Sequence, residues 1–427
     1  MKVVQEYMQA LYDSGLYPDK FICHEKKGNS IDVEDPATGK RYQLLTFCTN
    51  DVLGLVQSEA VKQASIDAIL RYGTSNSSCS VLSGRIDLHR QLEQEISAFK
   101  HLSHTHLFLN AWMAMQALMD GFCHLAIQVP GFSHTQETLI MTDVLNHGCI
   151  VSAVANAGNR SGKVFSYSPN VRVKPYRHCD FADLERKLRR YGKSGDRIMV
   201  ISDAVFSMDG DIAPLPEFIK VLENYPGSVL VMDEAHASGA IGPTGGGIYE
   251  HFGIQPQSVL DRGVVPIIMT TFSKFAASAG AAISSHSREL IDLLDVSPTS
   301  IGTISLPPPT TAAALESIRQ VKKNPQLVQR LQDNTRYLRK RLQEADFVPW
   351  GETNVIPVIL PGELNPKTFA DHLMENHNIW VSPIWFIAKP RLRITANALH
   401  TLSEMDYLVE AMVQTREVLY KSTRVAG

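Results

Sequence analysis

Two hydrophobic rhythms alternate along this chain. From about residue 46 to 305, helix-period stretches take turns with short continuous apolar runs. LEQEISAF and FADLERKLRRYG carry the spacing of amphipathic helices, the second closed by glycine, and PEFIKVLENY is a third. HLFLN, RIMVISDAV, SVLVMDEA and VVPIIMTTF are β-rich runs without polar alternation. Strands buried on both faces look like this, so the pattern predicts a mainly parallel sheet covered by helices on each side. Polar residues stand where these runs stop: Asp203 after VIS, Asp233 after VLVM, and Lys274 after IIMTTF. Open α/β sheets bind ligands at the carboxyl ends of their strands, so three such ends mark a candidate site.

The flanks read differently. Residues 1–45 predict an amphipathic helix and then a small hairpin, with Asn29 or Gly39 in its turns. Beyond LPPPTT, Ala312 to Ala345 predicts a long helix bent at Pro325. Short strands around VIPVIL and RLRITAN and helices at KTFADHLMEN and EMDYLVEAMVQTREVLY then suit a small α+β domain. The expected division is 1–45, 46–306 and 307–427.

Composition narrows the class. The chain has 427 residues, 44% hydrophobic and 20% charged, with a formal net charge of −3. That charge offers no footprint for nucleic acid or an acidic membrane surface. No apolar run approaches the roughly 18–20 residues of a spanning helix, and the N-terminus lacks the apolar centre of a signal peptide. Six cysteines without a CxxC pair argue against a zinc site or a disulfide framework and for free thiols in a reducing, cytoplasmic setting. HLSHTH (His101, His104, His106) has no accompanying carboxylate or cysteine cluster, so we expect a loop leading into HLFLN and no metal.

Lys274 stands out in MTTFSKFAASAGAAIS, a run otherwise small and apolar. Low dielectric disfavours an ammonium, so either the amine reaches water or it is wanted neutral, as a nucleophile. Asp233 opens a DEAH sequence, which in helicases binds magnesium beside a GxxxxGK[ST] loop. The nearest candidate loop, AGNRSGKV (157–164), has alanine at the first glycine and valine at the hydroxyl position, so that reading fails. A neutral lysine that forms a Schiff base and a carboxylate that keeps a pyridine nitrogen protonated describe a pyridoxal phosphate site instead.

The surrounding motifs carry a resemblance. FSMDGDIAPLPE (Phe206 to Glu217), VMDEAHASGAIGPTGGG (Val231 to Gly247) and TTFSK (Thr270 to Lys274) resemble, in this order, the α-oxoamine synthases. This family includes 8-amino-7-oxononanoate synthase, 5-aminolevulinate synthase, serine palmitoyltransferase and glycine C-acetyltransferase. The likeness runs from TNDVLGL (Thr49 to Leu55) to PRLRITANALHT (Pro390 to Thr401). It implies a fold-type-I, pyridoxal phosphate-dependent transferase, with a mainly parallel large domain and a small C-terminal α+β domain. It also implies a homodimer with interface active sites.

By motif, the resemblance makes Lys274 the Schiff-base lysine, Asp233 the partner of the pyridine nitrogen and His236 that of the phenolic oxygen. His147, in DVLNHGC, would stack on the ring, where a lone histidine is otherwise structural. Thr271 and the backbone amides of Ala111 and Trp112, at a helix N-terminus, would meet the phosphate; Trp112 would also suit core packing. Thr303 would reach the phosphate from the second subunit. Asp203 and Ser207 would line the site, unless Asp203 caps its strand end. Arg393 would clamp the amino-acid carboxylate with help from Asn50; on a strand Arg391 shares its face, so one of the two would be solvated.

The implied reaction is a decarboxylating Claisen condensation of an amino acid with an acyl thioester on carrier protein or coenzyme A, giving an α-amino ketone. Lys274 would serve as base, and His147 or His236 as donor to the oxyanion. An aminotransferase or decarboxylase would share Asp233 and Lys274; a non-catalytic binding subunit would lack the lysine. The chain departs from the family pattern at Val52, Ser75, Ser78, Ser80, Arg85 and Gly246. The serine-rich segment, Ser80 included, is expected to border the substrate pocket. This favours a secondary-metabolite enzyme for a larger or polar amino acid, such as a unit cut from a megasynthase of the saxitoxin-pathway type, with little before its first helix.

Overall fold

A computed structural model describes residues 1–14, 20–125, 129, 132, 135–159, 171–362, 364–385 and 389–425. Most of the AGNRSGKV segment lies outside them. Two compact units emerge, Asn50–Gln332 and Met1–Thr49 together with Asp333–Gly427.

The larger unit is built on seven strands: β1 (His104–Phe108), β2 (Thr138–Asp143), β3 (Val171–Tyr176), β4 (Arg197–Asp203), β5 (Val229–Asp233), β6 (Val265–Thr271) and β7 (Ala281–Ser285). Their order is β1-β7-β6-β5-β4-β2-β3. β2 to β6 pair in parallel. β7 is antiparallel to both β6 and β1, so β1 runs the same way as β6. The five residues of β5 and of β7 are all buried, as the unalternating apolar runs require. Helices α1 (Asp87–Lys100), α2 (Ala111–His124) and α3 (Gly148–Asn159) follow in the chain. Leu118, Met119, Ile150 and Val154 from α2 and α3 pack with Met199, Val231 and Met269 from the sheet. The carboxyl ends of β4, β5 and β6 and the start of α2 after β1 therefore share one edge of the sheet.

His104 and His106 are strand residues of β1, not part of a loop leading into it. His106 Nδ1 lies 3.2 Å from Asp295, a carboxylate almost two hundred positions away that its own segment does not reveal. The long helix expected from Ala312 is two, Pro308–Lys323 and Gln326–Glu344, separated at Asn324 and Pro325. The first of them clusters with the large unit. Its face Thr311, Ala312, Leu315 and Ile318 is buried, and its Pro309 carbonyl accepts from Ser65 Oγ at 3.1 Å. The larger unit runs on to Gln332.

In the smaller unit, Arg41–Thr46 pairs in parallel with Ile379–Trp380, joining the N-terminal hairpin to the C-terminal segment. A second, antiparallel sheet holds Val355–Ile359 against Arg391–Thr395. Phe47, Leu338, Ile356, Phe369, Leu392 and Met405 fill the core. No helix among the described residues is long and apolar enough to cross a membrane.

Candidate active site

Asp203 and Asp233 close adjacent strands in register, and both side chains are buried. Asp233 Oδ1 accepts the Ala235 N–H at 2.9 Å, which fixes the carboxylate over the turn that follows β5. Burial raises its pKa; the Lys274 and His147 charges pull the other way. Burial first, then the neighbouring Asp233, raises Asp203 well above the carboxylate range. Asp203 bonds to the loop that follows β2. Its Oδ1 accepts from the His147 N–H at 3.2 Å, and its N–H donates to Asn146 Oδ1 at 2.8 Å. Asn146 also donates to the Ile201 carbonyl, so the Asn146–His147 pair is pinned onto the end of β4.

His147 is held by its own loop. Its Nδ1 accepts from the Cys149 N–H at 3.2 Å and lies 3.0 Å from Cys149 Sγ. Cys149 Sγ in turn lies 3.9 Å from Asp233 Oδ2. Burial and the two aspartates push this thiol far up, so it sits there as a neutral donor. Trp112 meets the His147 ring edge-on, with centroids 6.4 Å apart. At 52% exposure Trp112 is not core, because its position in the first turn of α2 faces outward over the site.

Lys274 lies in the bend between β6 and β7, half-buried. It follows the end of β6, the strand paired in parallel with β5, by three residues. Thr271 ends β6 with its Oγ1 buried and without a hydrogen-bond partner. At α2, the Asn110 side chain accepts the Met113 N–H and its carbonyl the Ala114 N–H. The Ala111 and Trp112 amides are left pointing out of the helix start, where the dipole favours an anion. His236 is half-buried three residues after Asp233, and Ser207 half-buried in the turn after β4.

Ser80 and Thr303 meet elsewhere in the same unit. They line a cavity with Arg85, Glu93, His106 and Met113, the last in the first turn of α2. Arg85 and Glu93 pair there at 2.6 Å. Asn50 is exposed, at the boundary of the larger unit. Arg393 belongs to the smaller unit, in the strand Arg391–Thr395, and donates to Thr395 Oγ1 at 3.3 Å. Neither arginine of that strand is solvated. Arg391 is 3% exposed because its Nε donates to the Lys389 carbonyl and its guanidinium lies over Trp350.

A bridge of charged residues flanks the aspartates, and no sequence motif announces it. His178 Nδ1 donates to Asp143 at 3.1 Å and Nε2 to Asp211 at 2.6 Å, with Phe206 edge-on to the ring. Burial opposes the charge, but the two carboxylates hold the imidazolium pKa up to about 12. Asp143, His178 and Cys179 place ligand atoms within 4.8 Å of one another. An imidazolium donating from both nitrogens has no lone pair for a cation, and the group reads as an ionic bridge.

Residues 42–412 match the family of class I and II aminotransferases. The chain belongs to that family, and within it to the α-oxoamine synthases. The 8-amino-7-oxononanoate synthase of Thermosipho melanesiensis is 31% identical over 406 residues, 94% of each chain. A solved serine palmitoyltransferase from S. paucimobilis, holding a pyridoxal phosphate–myriocin adduct, superposes with a TM-score of 0.82 at 21% identity over 97% of both chains. The 8-amino-7-oxononanoate synthase of Francisella tularensis gives 0.67 at 20% identity, over 89% of this chain and 99% of that one. At these identities the structures speak for the fold, which is that of the fold-type-I transferases.

Proposed function

We propose that this α-oxoamine synthase condenses an amino acid with an acyl thioester, on acyl carrier protein or coenzyme A, and releases carbon dioxide and an α-amino ketone. Pyridoxal phosphate is the cofactor, and the residues present fit it. A buried carboxylate at Asp233 suits a protonated ring nitrogen. An orphaned Thr271 hydroxyl and two outward amides on α2 suit its phosphate. His236 would hold the phenolic oxygen, and Asp203 and Ser207 the surroundings. The observation that carries the reading is the register of Asp203 with Asp233 at neighbouring strand ends, beside β6, whose end at Thr271 leads within three residues to Lys274.

When bound, the cofactor supplies an electron sink for the carbanion at the amino acid's Cα. Asp233 keeps the pyridine nitrogen protonated. Lys274 would hold the cofactor and, as a neutral amine, take the Cα proton and return it after decarboxylation. His147 would cover the ring face, and His147 or His236 would donate to the oxygen that gains charge when the thioester carbonyl is attacked. Arg393 grips the amino-acid carboxylate with its planar fork, assisted by Asn50. Thr303 completes the phosphate site of a second copy in a homodimer, in the cytoplasm. Ser80 and its serine-rich neighbours favour a larger or polar amino acid and a role in secondary metabolism.

The test is Cα exchange. The purified protein, loaded with pyridoxal phosphate, is incubated in heavy water with each amino acid, followed by proton NMR. The true substrate loses its Cα signal, and adding its thioester releases carbon dioxide in step with free thiol. Keto-acid formation without thioester consumption would instead mark an aminotransferase.

A further inference from the structure

Lys100 ends α1 with its side chain fully buried, an expensive place for an ammonium. All three of its protons are used. Nζ donates to Glu234 Oε2 at 2.5 Å, Ser238 Oγ at 2.6 Å and the Gly246 carbonyl at 2.9 Å, with the Phe99 ring 5.0 Å away. Glu234 is equally engaged. Its Oε1 accepts the Ile248 N–H at 3.0 Å, its Oε2 accepts from Ser238 Oγ, and its own N–H donates to the Met269 carbonyl on β6. Gly247, at φ +102°, leaves room for this carboxylate; a Cβ there would stand 2.0 Å from Glu234 Oε2. Tyr249 is a further titratable group near Glu234, and burial with that carboxylate keeps its hydroxyl protonated.

One ion pair therefore staples α1, the end of β6, the turn after β5 and the 242–248 turn together. Asp233 precedes Glu234 directly, and His236 follows it by two residues. We propose that Lys100 is a positioning residue for the reaction: through Glu234 it fixes the segment that carries Asp233 and His236. Replacing a buried ion pair by apolar residues of similar volume often costs no stability, so stability alone is a weak account of a buried charge here. The proposal rests on the pyridoxal phosphate reading of the site.

Two variants of the holoenzyme test it, with cofactor dissociation, the circular dichroism of the bound cofactor and steady-state kinetics as readouts. Lys100→Met leaves Glu234 buried without its counter-charge and is expected to unfold at lower urea concentration. Lys100→Met/Glu234→Gln removes both charges while keeping an acceptor for Ile248, and is expected to unfold near the wild-type midpoint. The double variant should still bind the cofactor about tenfold more weakly and turn over about tenfold more slowly, with the amino-acid KM unchanged, because displaced catalytic groups lose rate steeply. A double variant with wild-type cofactor affinity, dichroism and kcat overturns the proposal. A wild-type protein that takes up no pyridoxal phosphate instead overturns the reading of the site.

Discussion

Thr271→Val should have opposite effects on the empty and the loaded protein. The substitution is nearly isosteric and replaces a buried hydroxyl that has no hydrogen-bond partner. A buried, unsatisfied polar group costs about 1–3 kcal/mol, so the apo form should gain about 1 kcal/mol in urea unfolding. If Thr271 Oγ1 serves the cofactor phosphate, the loaded form loses a charge-assisted hydrogen bond of about 1.5–3 kcal/mol, or roughly 10- to 150-fold in cofactor dissociation constant. Thr270 is the internal control. Its hydroxyl is also buried and unpartnered, but it points to the opposite face of β6. Thr270→Val should therefore stabilise the apo protein similarly and leave cofactor affinity within about twofold, since it removes no contact to the phosphate. Both quantities come from paired measurements: urea melts of the apo proteins and fluorescence titration with pyridoxal phosphate. A Thr271→Val protein that binds the cofactor as tightly as wild type would refute the phosphate role.

Lys274→Ala should fold normally yet lose the visible absorbance of the lysine-linked cofactor and all turnover; a variant retaining both sinks the assignment. Arg393→Ala should raise the amino-acid KM by roughly 10- to 150-fold with a smaller effect on kcat, from the loss of charged hydrogen bonds. His400 gives a pH prediction. Its Nδ1 accepts the Asn397 N–H and its Nε2 donates to the Thr46 carbonyl, so it is held neutral. Burial lowers its pKa from 6.5 to about 4, against the pull of Thr46 and Glu404. Stability from this group is complete above its unfolded pKa and is lost as pH falls through about 4. The shift is worth about 3 kcal/mol. His400→Gln should flatten the acid limb of urea midpoints measured from pH 7 to 4, and an unchanged slope would count against the shift.

Most of the sheet was legible because its strands are buried on both faces and so lack polar alternation. That same property put Asp203, Asp233 and Lys274 at run ends where the fold brings them to one edge. The neighbourhood of these residues was less legible, since it depends on partners far apart in sequence. Lys100 and Glu234 lie 134 positions apart, and nothing local in either segment announces the pair. His178 sits between carboxylates from β2 and from the turn after β4, a placement only the strand order creates. Trp112 and Arg391 defeated residue type as a guide: an indole stands exposed at a helix start, and a guanidinium is buried because a carbonyl and a ring receive it.

The paired aspartates explain why this edge should take a cationic ring at all. Two buried carboxylates on neighbouring strand ends cannot both ionise cheaply, and each raises the cost for the other. Lys274 relieves them while it is an ammonium, but a base must be neutral to remove a proton. With pyridoxal phosphate bound as proposed, Asp233 would hold a protonated pyridine nitrogen, whose positive charge would free Lys274 to lose its own. Asp203 meanwhile holds the His147 loop by accepting the His147 N–H through Oδ1, a bond that an amide oxygen would keep. Asp203→Asn should thus retain most activity, whereas Asp233→Asn should lose at least about 100-fold in kcat, the scale of removing a preorganised charge from a catalytic site. Equal losses in the two variants, measured side by side under saturating cofactor, would show that both carboxylates act as anions and that this division of labour is wrong.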